Sequence, residues 1–247
     1  MLPLAIMPQF MLDGANSILT FFAEDMGAGY GIAIILLTFV TRIAILPLSI
    51  KQIKSMRALQ AYAPQIKELN ERYKDDPQRK QRELMAFYQK NNINPLASCV
   101  PLLLQLPVFF TLFELLRSEQ FKSELLAYGD PGFLFIPDLS EKATGAVLIT
   151  LLIVYFVTMV ASMAVSAAQA EGAQRVLLFA LPVIFTPFII GFPAGLIVYW
   201  ITTNVWTIGQ QYAVKAFFPA PDAATAPAMA KAVKAPPKPP RKRKKRK

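Results

Sequence analysis

Apolar residues run along this chain in five blocks, 29–50, 96–116, 143–164, 176–190 and 194–214, and polar residues gather between them. A span of a ~30 Å hydrocarbon layer needs about 20 apolar residues in helical form, so each block predicts a transmembrane helix, the fourth being short and interrupted by Pro182 and Pro187. One position breaks the first block. Arg42 is the only charge between Gly29 and Ile50, and at helical rise it lies roughly 13 Å from the cationic end at Lys51. Guanidinium does not deprotonate, and an arginine at such depth costs at least ~2.5–3.5 kcal/mol, so it must face protein or water. At 100° per residue Thr38, Thr41, Arg42, Ser49 and Gln52 share a stripe, interrupted by Ile45. The stripe predicts one wall of a wet cavity; the other reading is helix packing with Arg42 paired to a buried carboxylate, for which Glu114 is the candidate.

The fifth block carries a second polar stripe. Trp200, Thr203, Asn204, Thr207 and Gln211 fall within about 60° either side of one direction, a face that is costly against lipid and suits either interhelical hydrogen bonds or the same cavity as Arg42. In the second block Gln105 is the central polar side chain, with Ser98 on its face and Pro101 and Pro107 marking kinks. The third block holds Thr150, Thr158, Ser162 and Ser166, hydroxyls able to bond back to their own helix.

Between the first two blocks, 51–94 alternates charge with helical apolar stripes. It predicts one helix continuing from the first span to Tyr73 with a break near Pro64, a turn at Lys74-Asp75-Asp76, and a second helix from Pro77, capped by Asp76, to Lys90. Ile66, Leu69 and Tyr73 on one helix face Leu84, Phe87 and Tyr88 on the other, the pattern of an antiparallel helical hairpin. Residues 1–28 predict an outer interfacial segment with a short helix including Ser17–Phe22, its Leu12, Ile18, Leu19, Phe21 and Phe22 lying on the membrane surface. They lack the basic region and clear cleavage site of a signal peptide. The loop 117–142 contains GDPGFLFIPDLS, turn residues around a short aromatic stretch, and Gly191-Phe192-Pro193-Ala194-Gly195 predicts a tight turn.

Charge orients these elements. Only Asp13, Glu24 and Asp25 precede Arg42, whereas 51–94 carries Lys51, Lys54, Arg57, Lys67, Arg72, Lys74, Arg79, Lys80, Arg82 and Lys90 and therefore belongs in the cytoplasm. Five crossings then put the amino terminus outside and the carboxyl terminus inside. Residues 215–247 are Pro/Ala/Lys-rich and end in Arg241, Lys242, Arg243, Lys244, Lys245, Arg246 and Lys247; such a tail cannot bury enough surface to fold and attracts anionic lipid or nucleic acid without sequence choice. The hydrophobic fraction of 54% and net charge of +10 fit a multi-pass membrane protein with basic inner segments. The single Cys99 excludes an intramolecular disulfide, and the absence of histidine removes zinc-protease motifs and every Ser-His or Cys-His arrangement. No nucleotide-binding motif is present and no cofactor is expected.

TRIAILPL (Thr41–Leu48), the charged hairpin through NPLASCVPLLLQLPVFF (Asn94–Phe110), FLFIPDLS (Phe133–Ser140) and PVIFTPFIIGFPAGLIVYWITTNVWTIGQQ (Pro182–Gln211) together resemble the YidC-type, or Oxa-type, membrane protein insertases, in family order over nearly the whole five-helix core. The resemblance implies an all-α integral membrane protein with five transmembrane helices, a cytoplasmic antiparallel hairpin and a hydrophilic groove. It implies a bacterial cell-membrane insertase and chaperone, not an enzyme, that passes hydrophobic segments of nascent proteins from cytoplasm into lipid, alone or beside the Sec translocon. The family's groove arginine falls on Arg42 and its fifth-helix aromatic on Trp200, with Asn204 one turn on. Thr38, Thr41, Ser49, Gln105, Thr203 and Thr207 complete the expected groove. Lys67, Arg72, Lys74, Arg79, Lys80, Arg82 and the tail become candidate contacts for ribosome, targeting factors or translocon. One departure is Met163, where many members carry a glutamine in the third span. The chain is expected to be the compact form, without the extra amino-terminal span and large periplasmic domain of Gram-negative members. A small transporter or channel using Arg42 as an anion site is the competing reading, and no inverted repeat between the halves supports it. A structural adaptor using only hairpin and tail leaves the intramembrane stripes unexplained.

Overall fold

The computed structural model describes residues 7–91, 100–167, 180 and 183–217, and the side chains of most of them. Among these it is helical throughout, with two isolated bridges in place of strands. In chain order the helices are α1 (Gln9–Thr20), running on through one π-helical turn (Phe21–Asp25), α2 (Tyr30–Ala61), α3 (Ala63–Arg72), α4 (Pro77–Lys90), α5 (Val100–Leu115), α6 (Glu119–Tyr128), α7 (Gly145–Ala167), a helical run α8 over 183–189, and α9 (Ala194–Phe217). Two helices are long and apolar enough to cross a membrane, Tyr30–Ile50 and Gly145–Val165, and Leu103–Leu115 is apolar but shorter. α9 has the length, but its threonines, Asn204, Gln210 and Gln211 dilute its hydropathy. The fourth expected span lies partly outside the described residues, as do Asn94–Cys99 and 218–247 of the expected tail, whose first residues, 215–217, are the last of α9.

α2 tolerates Pro47 in its interior. A proline there removes one backbone hydrogen bond, an insult that intramembrane helices absorb by local adjustment. The helix stops at Ala61; Tyr62 leaves helical geometry and Pro64 opens α3, where a missing N–H does no harm. At the far end of α3 the chain turns at Tyr73–Asp75, and Asp76 accepts the Arg79 N–H at 3.0 Å to cap α4. α3 and α4 touch through Tyr62 and Phe87, whose rings meet edge to face at 5.7 Å, and through the Arg79 guanidinium 5.1 Å above Tyr73.

The packed core sits at one end of the bundle. Leu19 and Ala23 of the first helical stretch, Tyr30, Ala33, Ile34 and Leu37 of α2, Leu112, Leu115 and Leu116, Phe121 and Leu125 of α6, and Leu196 and Ile197 of α9 are all buried together. Leu19 is therefore inside the protein, and Phe10 and Phe21 of the same stretch are its exposed large residues. Tyr30 stacks edge to face on Phe121 and Tyr128 and donates to Glu24 at 2.7 Å. From Phe39 to Ile50 no residue of α2 is buried. Among the described residues, the core lies at the end where α2 begins and thins toward the end where α3 follows.

A loop over 129–144 closes the packed end. Ser118 caps α6 by accepting from Phe121 N at 3.1 Å, Gly129 ends it at φ +87°, and these two residues are the start and stop signals of a helix that the reading of 117–142 as turns did not resolve. Phe133 and Ile136 then pair around an exposed Leu134, and Phe133 sits against Gly31, where a Cβ would stand 2.2 Å from its ring. The turn before α9 is sewn to the same loop by Ala194 N to Glu141 O and Gly195 N to Leu139 O, both 2.9 Å. Lys122 bonds Glu141 at 2.9 Å, and that carboxylate holds its ammonium above the ordinary lysine range.

The Gly31 contact yields a direct expectation. Gly31→Ala forces Phe133 off its seat and lowers stability by ~1–3 kcal/mol, an overpacking penalty, measured as the unfolding midpoint in detergent. Adding Phe133→Ala to Gly31→Ala recovers part of that loss; no recovery would show that the strain lies elsewhere.

Candidate functional site

The polar stripe of α2 begins inside the core and ends outside it. Thr38 is buried and donates to Ile34 O at 2.7 Å, Thr41 donates to Thr38 O at 2.8 Å, and Ser49 to Ile45 O at 3.1 Å. These hydroxyls satisfy themselves on their own helix, leaving oxygen lone pairs for the space beside it. Arg42 stands between them, half-buried, with no hydrogen bond or ion pair to any described residue. The alternative of an Arg42–Glu114 clamp has no contact to rest on. Gly195 is flanked by Ile34 and Leu116, which puts those residues at one level, and Arg42 is eight residues, or roughly 12 Å, further along α2. Glu114 belongs to the closed end, where its Oε2 accepts from Met7 N at 3.1 Å.

The side chain of α9 that answers Arg42 is Tyr199. It is fully buried, interacts electrostatically with Arg42, and its hydroxyl is hydrogen-bonded by the Gln105 side-chain amide of α5. Gln105 thus joins the site through Tyr199. The pattern analysis passed over Tyr199 because its neighbour Trp200 lies on the more polar stripe; the available signal was a hydroxyl-bearing aromatic one turn ahead of Thr203, on the α2-facing side shared with Gly195 and Trp206.

The α9 stripe itself divides. Trp200 is enclosed by rings from three other elements and the turn before its own helix: Phe109 stacks on it at 5.1 Å, Phe192 lies at 5.7 Å, Tyr155 at 5.9 Å and Phe185 at 6.3 Å. Asn204 is buried and donates through Nδ2 to Thr158 Oγ1 of α7 at 3.3 Å. Both residues thus meet α7, Trp200 together with α5 and α8. Thr203 is buried between the two directions, and Thr207, half-buried one turn on, donates to Thr203 O at 2.8 Å. Met163, at the position of the absent glutamine, packs against the core from α7.

The basic residues of α3 and α4 are presented outward. Lys67, Arg72, Lys74, Arg79 and Arg82 are exposed and Lys80 is half-buried; Arg72 is paired with Glu68 at 2.6 Å and Arg79 with Glu83 at 3.9 Å. Pairs this exposed contribute little to stability and remain open to exchange with another anion. Among the described residues no cluster of three His, Cys, Asp or Glu side chains is arranged to hold a metal.

The arrangement is thus a cation with no ion pair to a described residue and a file of hydroxyls on α2, with Tyr199 and Gln105 beside the cation. Comparison with known proteins places this geometry in company. A family model described as 60Kd inner membrane protein matches residues 21–221. The membrane protein insertase YidC of Streptomyces avermitilis is 36% identical over 225 residues, covering 77% of this chain and 52% of that protein. YidC of Geobacter sulfurreducens is 38% identical, with 77% of this chain and 34% of that protein covered. YidC 2 of Bacillus anthracis is 34% identical over 81% of this chain and 77% of its own length. The chain spans about half the length of the first of these relatives and a third of the second. A crystal structure of an active YidC insertase with its first transmembrane domain resolved superposes with a TM-score of 0.65 at 28% identity, over 83% of this chain and 46% of that one.

The Asn204–Thr158 contact between α9 and α7 is open to measurement. A double-mutant cycle with Asn204→Leu and Thr158→Val is expected to return a coupling of ~0.6 kcal/mol in reversible detergent unfolding, the usual size for one interhelical hydrogen bond in a membrane protein. A coupling of zero would mean that the pair is in contact without holding the helices together.

Proposed function

The chain belongs to the 60Kd inner membrane protein family, and from that premise we propose that it is a membrane protein insertase and chaperone, which moves hydrophobic segments of nascent proteins from the cytoplasm into the bilayer along a lipid-open groove centred on Arg42. The observation that carries the reading is Arg42 itself, a permanent charge in the middle of a span-length apolar helix with no ion pair to a described residue, at the point where that helix leaves the packed core. A charge there is sustained by water, and water enters from the open side, because Phe133, Leu139 and the turn before α9 close the other.

The mechanism is a shortening of the apolar barrier. A client's polar outer segment enters the wet half-channel while its apolar segment slides sideways into lipid, so that only the closed outer half remains to be crossed dry. Arg42 attracts acidic groups in the entering segment, and Tyr199, tied to Gln105, supplies a neutral hydroxyl beside it. Attraction between a hydrated guanidinium and a carboxylate is modest, which permits release. No bond in the client is broken, and the reading assigns no catalytic residue and no cofactor.

Five crossings with the amino terminus outside and the carboxyl terminus in the cytoplasm place α3 and α4 as an antiparallel hairpin in the cytoplasm. Its exposed lysines and arginines, with the Arg241–Lys247 tail, serve as docking surface for the ribosome, by non-specific RNA contact, and for the Sec translocon or anionic membrane lipids.

In a Cys99→Ser background, a cysteine replacing Lys74 is expected to label only from the cytoplasmic side and one replacing Asp130 only from outside; labelling of position 130 from the cytoplasm overturns the topology. The groove is tested at Arg42 with two single-span clients, one with an acidic outer segment and one neutralised. Arg42→Ala is expected to cut reconstituted insertion of the acidic client by about tenfold, equivalent to ~1.4 kcal/mol, and to spare the neutral one, while Arg42→Lys retains most activity because a hydrated positive centre needs no bidentate fork. Equal loss for both clients, accompanied by a large drop in the detergent unfolding midpoint of Arg42→Ala, would refute the charge mechanism.

A further inference from the structure

The turn at the tip of the 129–144 loop is built against the preference of its own backbone. Phe133 N donates to Ile136 O and Ile136 N to Phe133 O, both at 2.9 Å, so Leu134 and Phe135 are the two central residues of a tight hairpin turn. Leu134 has φ +55°, the sole non-glycine residue at positive φ among those described, and Phe135 does not share it. A turn with positive φ at its first central position alone ordinarily carries glycine there, because a Cβ is strained in that conformation. Burial could offset such strain, but Leu134 is 85% exposed and Phe135 beside it is exposed as well. The segment 131–137 holds no charge, and the carboxylates that flank it, Asp130 and Asp138, are turned onto the backbone N–H groups of Gly132 and Ser140. An apolar side chain is thus held outward at a backbone position that favours none, with little packing from the described residues to compensate.

Two contacts fix the depth of this turn. Phe133 Cβ lies 2.6 Å from where a Cβ on Gly31 would stand, and Tyr128 Oη 3.8 Å from one on Gly29, so the turn and the end of α6 are level with the first residues of the Tyr30–Ile50 span. The Cα atoms of residues 134 and 135 are at most ~7 Å from that of Phe133, whichever way the tip leans. The headgroup layer on either side of the hydrocarbon is itself roughly 5–7 Å deep. We propose that Leu134 and Phe135 insert into the outer leaflet as an apolar wedge, at the boundary between lipid headgroups and acyl chains. The inference rests on the membrane-spanning reading above, which puts lipid at this depth. Insertion supplies the burial that the fold withholds from Leu134, and it makes the strained conformation useful, since the turn aims both side chains away from the protein. Phe133 against α2, and the backbone bonds from Glu141 and Leu139 to the start of α9, connect the wedge to the two helices that carry Arg42 and Tyr199.

The test uses the full chain in phosphatidylcholine nanodiscs holding one copy each, in a Cys99→Ser background. A nitroxide is attached at Phe135→Cys, and its collision rate with oxygen, which concentrates in lipid, is divided by that with a water-soluble nickel chelate. Ile153→Cys on the exposed face of α7 is the lipid reference and Lys74→Cys the aqueous one. The ratio at 135 is expected to exceed that at 74 by about threefold or more, as for a side chain at the acyl boundary. Adding Leu134→Asn, which tolerates positive φ and so keeps the turn while removing the apolar group, is expected to lower the ratio at 135 by about twofold. In the unlabelled wild-type chain, a phosphatidylcholine bearing a diazirine near its ester carbonyl is expected to leave adducts on 134–135. An aqueous ratio at 135 with lipid exposure at 153 overturns the wedge and leaves the turn to a protein partner. A ratio unmoved by Leu134→Asn, or adducts on α7 and none on the turn, overturns it equally. An aqueous ratio at 153 as well refutes the membrane-spanning reading on which the wedge rests.

Discussion

The physical constraint on which the rest of the structure depends is that a guanidinium cannot shed its charge. A buried lysine or carboxylate at the position of Arg42 would neutralise itself; arginine compels the surroundings to accommodate it. With no described carboxylate in reach, the accommodation here is architectural. The residues of α2 before Thr38 are packed against four other helical elements, whereas none from Phe39 to Ile50 is fully buried. The charge sits just beyond that boundary, so a helix whose composition is nearly uniform along its length is divided into a core-packed part and a part that carries the cation.

The packed part is held by residues far from Arg42 in sequence. Phe133 occupies the space that a side chain at position 31 would fill, and the loop carrying it is bonded through backbone groups to the start of α9, which in turn packs Gly195 against Ile34. Each contact uses a residue of minimal size or a backbone group, so helices and loop approach more closely than ordinary side chains permit. The seal and the site are consequently parts of one object: α2 and α9 line both, and neither can shift at one end without disturbing the other.

Much of this was legible in the residues. The break at Pro64, the cap at Asp76 and the outward charge of α3 and α4 follow from local chemistry, which a single sequence exposes directly. Arg42 was legible because a lone charge in an apolar run is costly in any fold. What escaped were the features decided by tertiary packing. Helical spacing grouped Trp200 and Asn204 with Thr203, but a wheel gives only relative direction and does not name the ring and hydroxyl partners they find on α5 and α7. Tyr199 was hidden among aliphatic neighbours until Gln105 reached it from a helix 94 residues earlier. Leu19 illustrates the same limit, since an amphipathic stripe does not say whether lipid or protein will cover it.

One uninterrupted helix joins Gly31, Arg42 and the charged segment that follows Ala61. At 1.5 Å per residue, α2 reaches roughly 36 Å beyond Leu37, its last core aliphatic, and it is unbroken over that distance. It is a lever with its fulcrum in the core. Tilting it by about 5° displaces the far end by roughly 3 Å and Arg42, a fifth of the way along, by well under 1 Å. Large excursions of α3 and α4, such as a bound macromolecule would impose, therefore reach the charged centre strongly geared down, so that the arm is free to sweep while the cation stays nearly still.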